Sequence, residues 1–401
     1  MQSIYFRFLV FLFLLISTRS YTQVYTGKIV DVYKTGISFA HVFFQSDQSK
    51  GSTSNEIGEF RISVSDFNQL DTLVVSVLGY ETLFVAYSEI DDYNNVFELN
   101  SSSIFLNEIT IKSDSYFRSI IKEAIVRIPK NYPVEDHLQK AYYLNYTISD
   151  SSYSEMIEAD FQLVTNGYQK GELKEKVYLN QLRKTKDNRN LPDRLKIKRN
   201  GIYNTLNKNK VHRRTLARLG GYKVLRTINE FKNSIDDIDH LEFHKQSIQD
   251  GDTIITLKFP DPIFQSSEFA SKVYTLLSIN LTDKAIVKIV FGDAWSQNQD
   301  FDEVVYRKIK NIYYPAYIRN VTNYEFNQKR NKHYSAHCIL FYDVVTGKDK
   351  IKSEKVGKKI KRQEDLRQVK RKSDKEFWEE YIYSNQFSAS TLVRSKFRFK
   401  S

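Results

Sequence analysis

The stretch 25–112 constrains the fold most, because short apolar segments alternate there with turn-forming residues. Phe60 and Ile62 alternate with polar residues, which is the period of a half-buried strand. Residues 72–77 form a β-branched, apolar run that predicts a buried strand. The sequence Asn55-Glu56-Ile57-Gly58 predicts a turn in which the glycine adopts a positive φ. Several strands at this spacing predict a small β-sandwich.

Residues 37–44 are apolar on both alternating faces, which predicts a strand packed on two sides. The stretch as a whole resembles the carboxypeptidase-regulatory-like domain, and three segments carry the likeness: Gly27-Lys28-Ile29-Val30-Asp31, Asn55-x-x-Gly58-x-Phe60 and Ser76-Val77-Leu78-Gly79-Tyr80-Glu81. The resemblance implies a transthyretin-like sandwich of the type fused to envelope proteins of Bacteroidetes-type bacteria. It implies an accessory module, without peptidase activity. An unrelated immunoglobulin-like sandwich is the alternative.

The N-terminus has the pattern of a secretory signal peptide. Arg7 precedes the unbroken apolar run 8–16, and Thr18-Arg19-Ser20 supplies small residues near a cleavage point. The run is shorter than the ~20 residues that a membrane-spanning helix needs. We therefore expect residues 1–20 to be removed on export. No cysteine follows the run, so we expect no lipid at the new N-terminus, and we expect the protein in the periplasm or associated with the outer membrane.

The sequence predicts three units: the sandwich at 24–112, a connecting helix at 113–133 and a β-rich domain at 137–390. We expect Asp114 to cap the helix. Apolar residues recur on one helical face and predict an amphipathic helix that packs the sandwich on the next domain: Phe117, Ile120, Ile121, Ala124, Ile125 and Ile128.

The β-rich domain is predicted from successive hairpins. Residues 241–248 and 253–259 flank the turn Gln249-Asp250-Gly251-Asp252, and 273–281 and 285–291 flank a second turn. Earlier strands are predicted at 142–148, 155–164 and 177–182, and later ones at 304–312, 316–326 and 333–344. The fold class is therefore mainly β (α+β), with a sandwich, a connecting helix and a larger antiparallel β-meander.

Two further resemblances concern this second part. The run Ile128-Pro129-Lys130-Asn131-Tyr132-Pro133, followed by Glu158-Ala159-Asp160 and residues 181–184, resembles a longer form of the same envelope family. In that form a β-rich domain of uncharacterised function follows the sandwich. The hairpin at 274–290 is similar to hairpins in the half-barrel folds of periplasmic lipoprotein carriers.

The chain is basic, with a net charge of +12. In an exported protein such charge favours anionic lipids or acidic glycans as partners and argues against nucleic acid. Residues 348–372 contain twelve basic and four acidic residues. This segment is either a mobile, solvated stretch or a contact with an anionic surface. The candidate contact residues are Lys358, Lys359, Lys361, Arg362, Lys370, Arg371 and Lys372.

The motifs of common hydrolases and nucleotide-binding proteins are absent from the sequence: His-Glu-x-x-His, His-x-x-Glu, Gly-x-Ser-x-Gly and the Gly-rich phosphate loop. We expect no cofactor. His240, Glu242 and His244 would share one face of a strand and could bind zinc, although a solvent-facing strand has the same pattern.

Other candidate side chains have structural interpretations. Cys338, the single cysteine, predicts a buried thiol. Its neighbour His337 would point to the opposite face, so the two could not pair. We interpret His333 and His337 as ordinary strand residues.

Three functions follow from these patterns. The first is a non-enzymatic envelope protein with a docking or spacer sandwich and a β-rich domain that binds an envelope protein, a glycan or a lipid. The second is a carrier of a lipid or another apolar ligand, and it requires a cavity. The third is a metal-dependent hydrolase that uses the His240, Glu242 and His244 face.

Overall fold

A computed structural model describes residues 23–48, 51–55, 57–64, 70–91, 95–102, 113–149, 152–167, 175–185, 202, 241–260, 273–293, 300–326, 331–361, 366–370 and 374–378. The predicted signal peptide lies outside the described residues. So do all the basic residues between 186 and 220. None of the helices that the structure describes combines the length and the apolar character needed to span a bilayer.

The N-terminal part is a sandwich of two small sheets. Its strands are β1 (Gln23–Asp31), β2 (His41–Phe44), β3 (Gly51–Thr53), β4 (Glu59–Val64), β5 (Thr72–Ser76), β6 (Leu83–Ala86) and β7 (Asn95–Leu99). In the described residues one sheet has the order β4-β1-β7 and the other β3-β2-β5-β6. β1 pairs with β4 antiparallel and with β7 parallel.

Apolar side chains from both sheets form the sandwich core. Ile29, Leu73, Val75 and Leu99 are fully or almost fully buried. Burial of each such side chain stabilises the fold by roughly 1.5–3 kcal/mol. The predicted alternation of β4 and the predicted buried strand at 72–77 are confirmed.

The turn before β4 is also confirmed. The Asn55 Oδ1 atom accepts hydrogen bonds from the backbone N–H groups of Ile57 at 3.0 Å and Glu59 at 2.9 Å. Gly58 has a φ of 84°.

The strand predicted at 37–44 is shorter than expected, because β2 begins only at His41. Phe39 has a φ of 61°, which no extended strand contains. This backbone reversal leaves Ile37 in the sandwich core and directs Phe39 towards the second domain.

Two helices follow, α1 (Asp114–Val126) and α2 (Ile128–Asn131). The predicted amphipathic stripe of α1 is confirmed, with Ile121 and Ile125 almost fully buried. The expectation that Asp114 caps the helix is wrong. Ser113 occupies the cap position, and Asp114 lies in the first turn, where it accepts a 2.6 Å hydrogen bond from Arg118.

The rest of the described chain forms one large antiparallel sheet. Its strands are β8 (His137–Ser149), β9 (Ser152–Thr165), β10 (Glu175–Lys184), β11 (Glu242–Gln249), β12 (Asp252–Pro260), β13 (Val273–Asn280), β14 (Ala285–Asp293), β15 (Asp300–Ile309), β16 (Ile312–Phe326), β17 (Asn331–Thr346) and β18 (Lys358–Lys359). A short helix, α3 (Lys348–Glu354), lies between β17 and β18 in the chain. We call this sheet the large sheet. Among described residues it has eleven strands in the order β11-β12-β13-β14-β15-β16-β17-β8-β9-β10-β18.

The two faces of the large sheet have different neighbours. On the helix face, α1 packs against a cluster that includes Ile157, Phe161 and Leu257. On the opposite face, which we call the sandwich face, Phe39 packs in a cluster with Tyr142, Tyr317, Cys338 and Trp378. The sandwich therefore meets the large sheet through its own residues, and α1 covers the other side.

The predicted meander is confirmed from β11 to β17. The sequence-based interpretation did not foresee that β8 pairs with β17, which adds the earliest strands of the domain beyond the last strand of the meander. The turn between β11 and β12 has positive φ at Asp250 and Gly251, as expected for a two-residue hairpin.

Candidate functional site: a pocket between the sandwich and the large sheet

A cavity of about 700 Å³ lies between the sandwich and the large sheet. Its walls come from β2, β3 and β5 on one side and from β14, β15 and β16 on the other. We call it the interdomain pocket. Its volume is that of a typical site for a small molecule.

Phe39 joins the two walls of the pocket. Its ring centroid lies 4.9 Å from that of Tyr317 on β16. The Arg319 guanidinium lies 5.0 Å from the Phe39 ring centroid and 5.2 Å from that of Phe301. A cation held between two aromatic faces is stabilised by the negative potential of both rings.

A second connection runs from His41 on β2 to Arg307 on β15. Arg307 donates a hydrogen bond to the His41 Nε2 atom, which fixes the imidazole as neutral with its proton on Nδ1. The His41 ring also stacks on Phe43, with centroids 4.7 Å apart. Gly51 permits this arrangement, because a Cβ atom there would lie 2.7 Å from His41 Nε2.

Burial changes the pKa of both partners. Burial, and then the charge of Arg307, hold the pKa of His41 well below its usual value of 6.5. Burial lowers the pKa of Arg307 to about 10, although the charge of Asp343 opposes this shift. At neutral pH the guanidinium is therefore charged and the imidazole is neutral.

The wall from the large sheet carries a carboxylate between polar partners. Glu303 on β15 forms an ion pair with Lys288 on β14. Burial, and then the charge of Glu303, raise the pKa of Tyr317 well above its usual value. The Tyr317 hydroxyl therefore keeps its proton and donates a hydrogen bond to the Glu303 carboxylate.

Tyr274 reaches the pocket because the next strand has no side chain opposite it. Tyr274 on β13 pairs with Gly292 on β14. A Cβ atom at Gly292 would lie 2.2 Å from the Tyr274 ring. The glycine therefore lets the ring lie across the neighbouring strand.

Polar contacts close one rim of the pocket. Asp250, in the turn between β11 and β12, accepts hydrogen bonds from Thr82 and, at 3.4 Å, from Ser76 of the sandwich. Gln249 donates a 3.2 Å hydrogen bond to the Ser76 hydroxyl. These contacts, together with those of Phe39 and His41, hold the sandwich against the large sheet.

The residues predicted to bind zinc are only partly described. His240 lies outside the described residues, and Glu242 and His244 are exposed on β11, the outermost strand at one edge of the large sheet. Burial, followed by the charges of Lys245 and Lys258, lowers the pKa of His244. Among the side chains that the structure describes, no three of His, Cys, Asp or Glu could together hold a metal.

The described part of the basic segment 348–372 contains regular secondary structure, and most of its residues are exposed, as expected for a solvated stretch. Residues 348–354 form α3, and Lys358 and Lys359 form β18. Lys358, Lys359, Lys361 and Lys370 are exposed. Arg362, Arg371 and Lys372 lie outside the described residues.

His337 and Cys338 point to opposite faces, as predicted. The Tyr143 hydroxyl lies 3.0 Å from His337 Nδ1, whereas Cys338 is buried in the sandwich-face cluster. His333 is part of β17.

Sequence reasoning missed the residues that build the interdomain pocket. The apolar alternation at 37–44 marked Phe39 and His41 as packed, but it could not name their partners. Arg307 is 266 positions from His41, and no local pattern signals that contact.

Comparison with known proteins supports the assignment of the sandwich. Residues 25–111 match the family model of the CarboxypepD_reg-like domain. This match confirms the predicted resemblance for that part of the chain. No curated protein matches the chain.

Solved structures resemble the chain only distantly. A DUF1329 family protein from Desulfovibrio piger is 10% identical, with a TM-score of 0.26, and the match covers 58% of this chain and 95% of that one. A putative outer membrane lipoprotein-sorting protein domain from Vibrio parahaemolyticus is 8% identical, with a TM-score of 0.24 and coverage of 59% and 96%. A LolA superfamily protein from Nitrosomonas europaea is 12% identical, with a TM-score of 0.23 and coverage of 58% and 96%. At these values the likeness assigns no function.

Proposed function

We propose that this protein is an exported, non-enzymatic binding protein of the cell envelope. Its sandwich and its large sheet together hold one small ligand. The observation that carries the proposal is the interdomain pocket, a cavity of about 700 Å³ with walls from both domains. In this proposal the sandwich is more than a spacer, because it supplies half of the binding site.

The chemistry of the walls indicates an amphipathic ligand. Aromatic rings line both sides and offer flat apolar contacts: Phe39, Phe43, Tyr274, Phe301 and Tyr317. Charged side chains lie between them, namely Lys288, Glu303, Arg307 and Arg319. A ligand with a flat or chain-like apolar body and a polar or charged group satisfies both kinds of wall.

The pocket side chains already have roles in holding the two domains together. His41 is neutral and accepts a hydrogen bond from Arg307, and Glu303 is in an ion pair with Lys288. These contacts stabilise the junction between the domains. They support binding as the function of the pocket in preference to acid–base chemistry.

Fluorescence titration with anilinonaphthalene sulfonate tests the proposal, because this probe combines aromatic rings with an anionic group. We expect saturable binding of one probe molecule per chain. Val290 lies in the pocket wall. The change Val290→Trp fills the cavity and should weaken probe binding by at least about tenfold, since a bulky ring occupies the space that the probe needs.

The matched control is Val96→Trp, at a valine that is 62% exposed on β7. This variant should bind the probe as the unchanged protein does. Equal binding by all three proteins would place the probe elsewhere and contradict the proposal.

A carrier of an apolar ligand is the second candidate, and the aromatic lining of the pocket favours it. The neutral probe N-phenylnaphthylamine separates the two candidates. A carrier would bind the neutral probe at least as tightly as the anionic one, whereas our first proposal expects the anionic probe to bind more tightly.

A further inference from the structure

A second feature lies at the far edge of the large sheet, away from the interdomain pocket. β18 is the outermost strand and pairs antiparallel with β10, with Tyr178 opposite Lys359. The pairing continues past β18, because the backbone N–H of Ile360 donates a 3.0 Å hydrogen bond to the carbonyl oxygen of Val177. Ile360 and Val177 are both buried in the helix-face cluster.

Successive side chains along a strand point to opposite faces of the sheet, so the neighbours of Ile360 and Val177 lie together on the face opposite the helix-face cluster. Lys176 and Tyr178 flank Val177 on β10, and Lys359 and Lys361 flank Ile360. The three lysines and the tyrosine therefore lie on the side opposite the buried Ile360 and Val177. Lys176, Lys359 and Lys361 are exposed, and Tyr178 is half-buried.

Lys355 completes this group. Its ammonium lies 5.2 Å from the centroid of the Tyr178 ring. We call the five residues Lys176, Tyr178, Lys355, Lys359 and Lys361 the basic edge. On the neighbouring helix α3, Lys348, Lys350 and Lys352 are also exposed.

Part-buried hydrogen bonds and ion pairs hold the chain segment that carries Lys355, Lys359 and Lys361 against the large sheet. The Gln162 side chain donates a 2.8 Å hydrogen bond to the Glu354 carbonyl oxygen and accepts one of 2.8 Å from the Val356 N–H. Lys140 forms ion pairs of 3.0 Å with both Glu354 and Asp343. The carboxylate of Glu354 is thus engaged by Lys140. The lysines of the basic edge are presented by an ordered scaffold, which lowers the entropy cost of binding.

We propose that the basic edge rests on the surface of an anionic lipid bilayer. A row of lysines along one side of a sheet edge matches a plane of phosphate groups, and each lysine near such a surface adds to the electrostatic attraction. Tyrosine is enriched at the level of lipid headgroups, where its ring is half in apolar surroundings. The pocket and the basic edge are separate sites, so this inference does not depend on ligand binding in the pocket.

Vesicle co-sedimentation of the full exported chain tests the inference. The protein should bind vesicles of phosphatidylcholine mixed with phosphatidylglycerol and should not bind vesicles of phosphatidylcholine alone. Added salt should weaken the binding. Replacing Lys176, Lys355, Lys359 and Lys361 with Gln should lower the affinity for the mixed vesicles by at least about tenfold. The same four positions changed to Arg should retain binding.

A matched control removes the same amount of charge elsewhere. Lys122, Arg127, Lys130 and Lys310 are exposed and lie outside the basic edge. Lys310 is in the turn between β15 and β16, and the two helices contact the turn between β13 and β14 through the Glu123–Lys284 ion pair and the hydrogen bond from Asn131 to the Asp283 carbonyl oxygen. Their replacement with Gln should leave the affinity within about twofold. An equal loss in both variants would show that net charge alone attracts the protein, and it would overturn the inference.

Two other results would also overturn it. One is unchanged binding by the variant that lacks the four lysines, with thermal unfolding unaffected. The other is displacement from the vesicles by millimolar glycerol phosphate, which would identify a site for free phosphate. Val290→Trp should bind vesicles normally, so the outcome is independent of the pocket experiment.

Discussion

Gly58 and Gly79 differ in their surroundings although both have a positive φ. At Gly58, with a φ of 84°, a Cβ atom would lie 2.2 Å from the Ile29 carbonyl oxygen. At Gly79, with a φ of 98°, nothing lies within 4 Å of that position. Gly58→Ala should therefore lower the free energy of unfolding by more than about 2 kcal/mol, and Gly79→Ala by only about 1 kcal/mol. Chemical denaturation measures both, and equal losses would contradict the argument from close contact.

The neutral state of His41 makes stability depend on pH. The pKa of His41 in the folded protein lies well below 6.5 because of burial and Arg307. Below about pH 6.5 the unfolded chain therefore binds a proton that the native protein does not, so stability falls as the pH falls. Above about pH 6.5 the contribution of His41 to the free energy of unfolding is constant. Titration of this one group changes the free energy of unfolding by at most about 1.4 kcal/mol per pH unit.

The variant His41→Gln isolates this effect, because its amide oxygen still accepts a hydrogen bond from Arg307. We expect denaturation between about pH 7.5 and 5.5 to show a shallower decline for the variant than for the unchanged protein. Parallel declines would mean that His41 does not contribute to the pH dependence.

Local residue chemistry was predictable, whereas distant contacts were not. The turn at Gly58 follows from four consecutive residues, because only glycine adopts that φ at low cost. The partners of Phe39 and His41 come from β15 and β16, and their contacts depend on how two domains pack. A single sequence contains no local signal for such packing.

At the level of elements, the side chain of Gln162 connects α3 and β18 to β9. Gln162→Leu keeps the volume of the side chain but removes both of its hydrogen bonds to the segment. We expect faster amide hydrogen exchange in residues 354–360, since local opening then costs about 1–3 kcal/mol less. Exchange in β8 and β17 should stay unchanged.

Ser353→Ala is the control for this experiment. Ser353 is exposed, and its hydroxyl donates a 3.0 Å hydrogen bond to the Lys350 carbonyl oxygen within α3. This variant should exchange like the unchanged protein in residues 354–360. If Gln162→Leu also exchanged at the rate of the unchanged protein, β-pairing alone would be sufficient to hold the segment.

Elements with a local signature were predicted well. The stripe of α1 and the hairpins of β11–β12 and β13–β14 follow from periodicity and turn residues. The pairing of β17 with β8 joins strands that are far apart in the chain, and strand periodicity does not specify a partner. The basic segment contacts the large sheet through Gln162 and Ile360, and no charge pattern reveals these contacts.

At the scale of the whole molecule, the sandwich and the large sheet form one binding unit in our account. The cavity of about 700 Å³ exists only where both domains contribute their walls. The basic edge lies at the end of the large sheet that is formed by β10 and β18. A protein with this arrangement could stay at a lipid surface while the pocket holds its ligand, since the two sites use different residues.

Native mass spectrometry of the protein, isolated gently from the cells that produce it, tests the central claim most directly. We predict a bound species with a mass on the order of a few hundred daltons, as the size of the interdomain pocket allows. The Val290→Trp variant from the same cells should lack this species, and Val96→Trp should retain it. A bound species that persists in Val290→Trp, or protein that always carries its bare mass, would contradict the account.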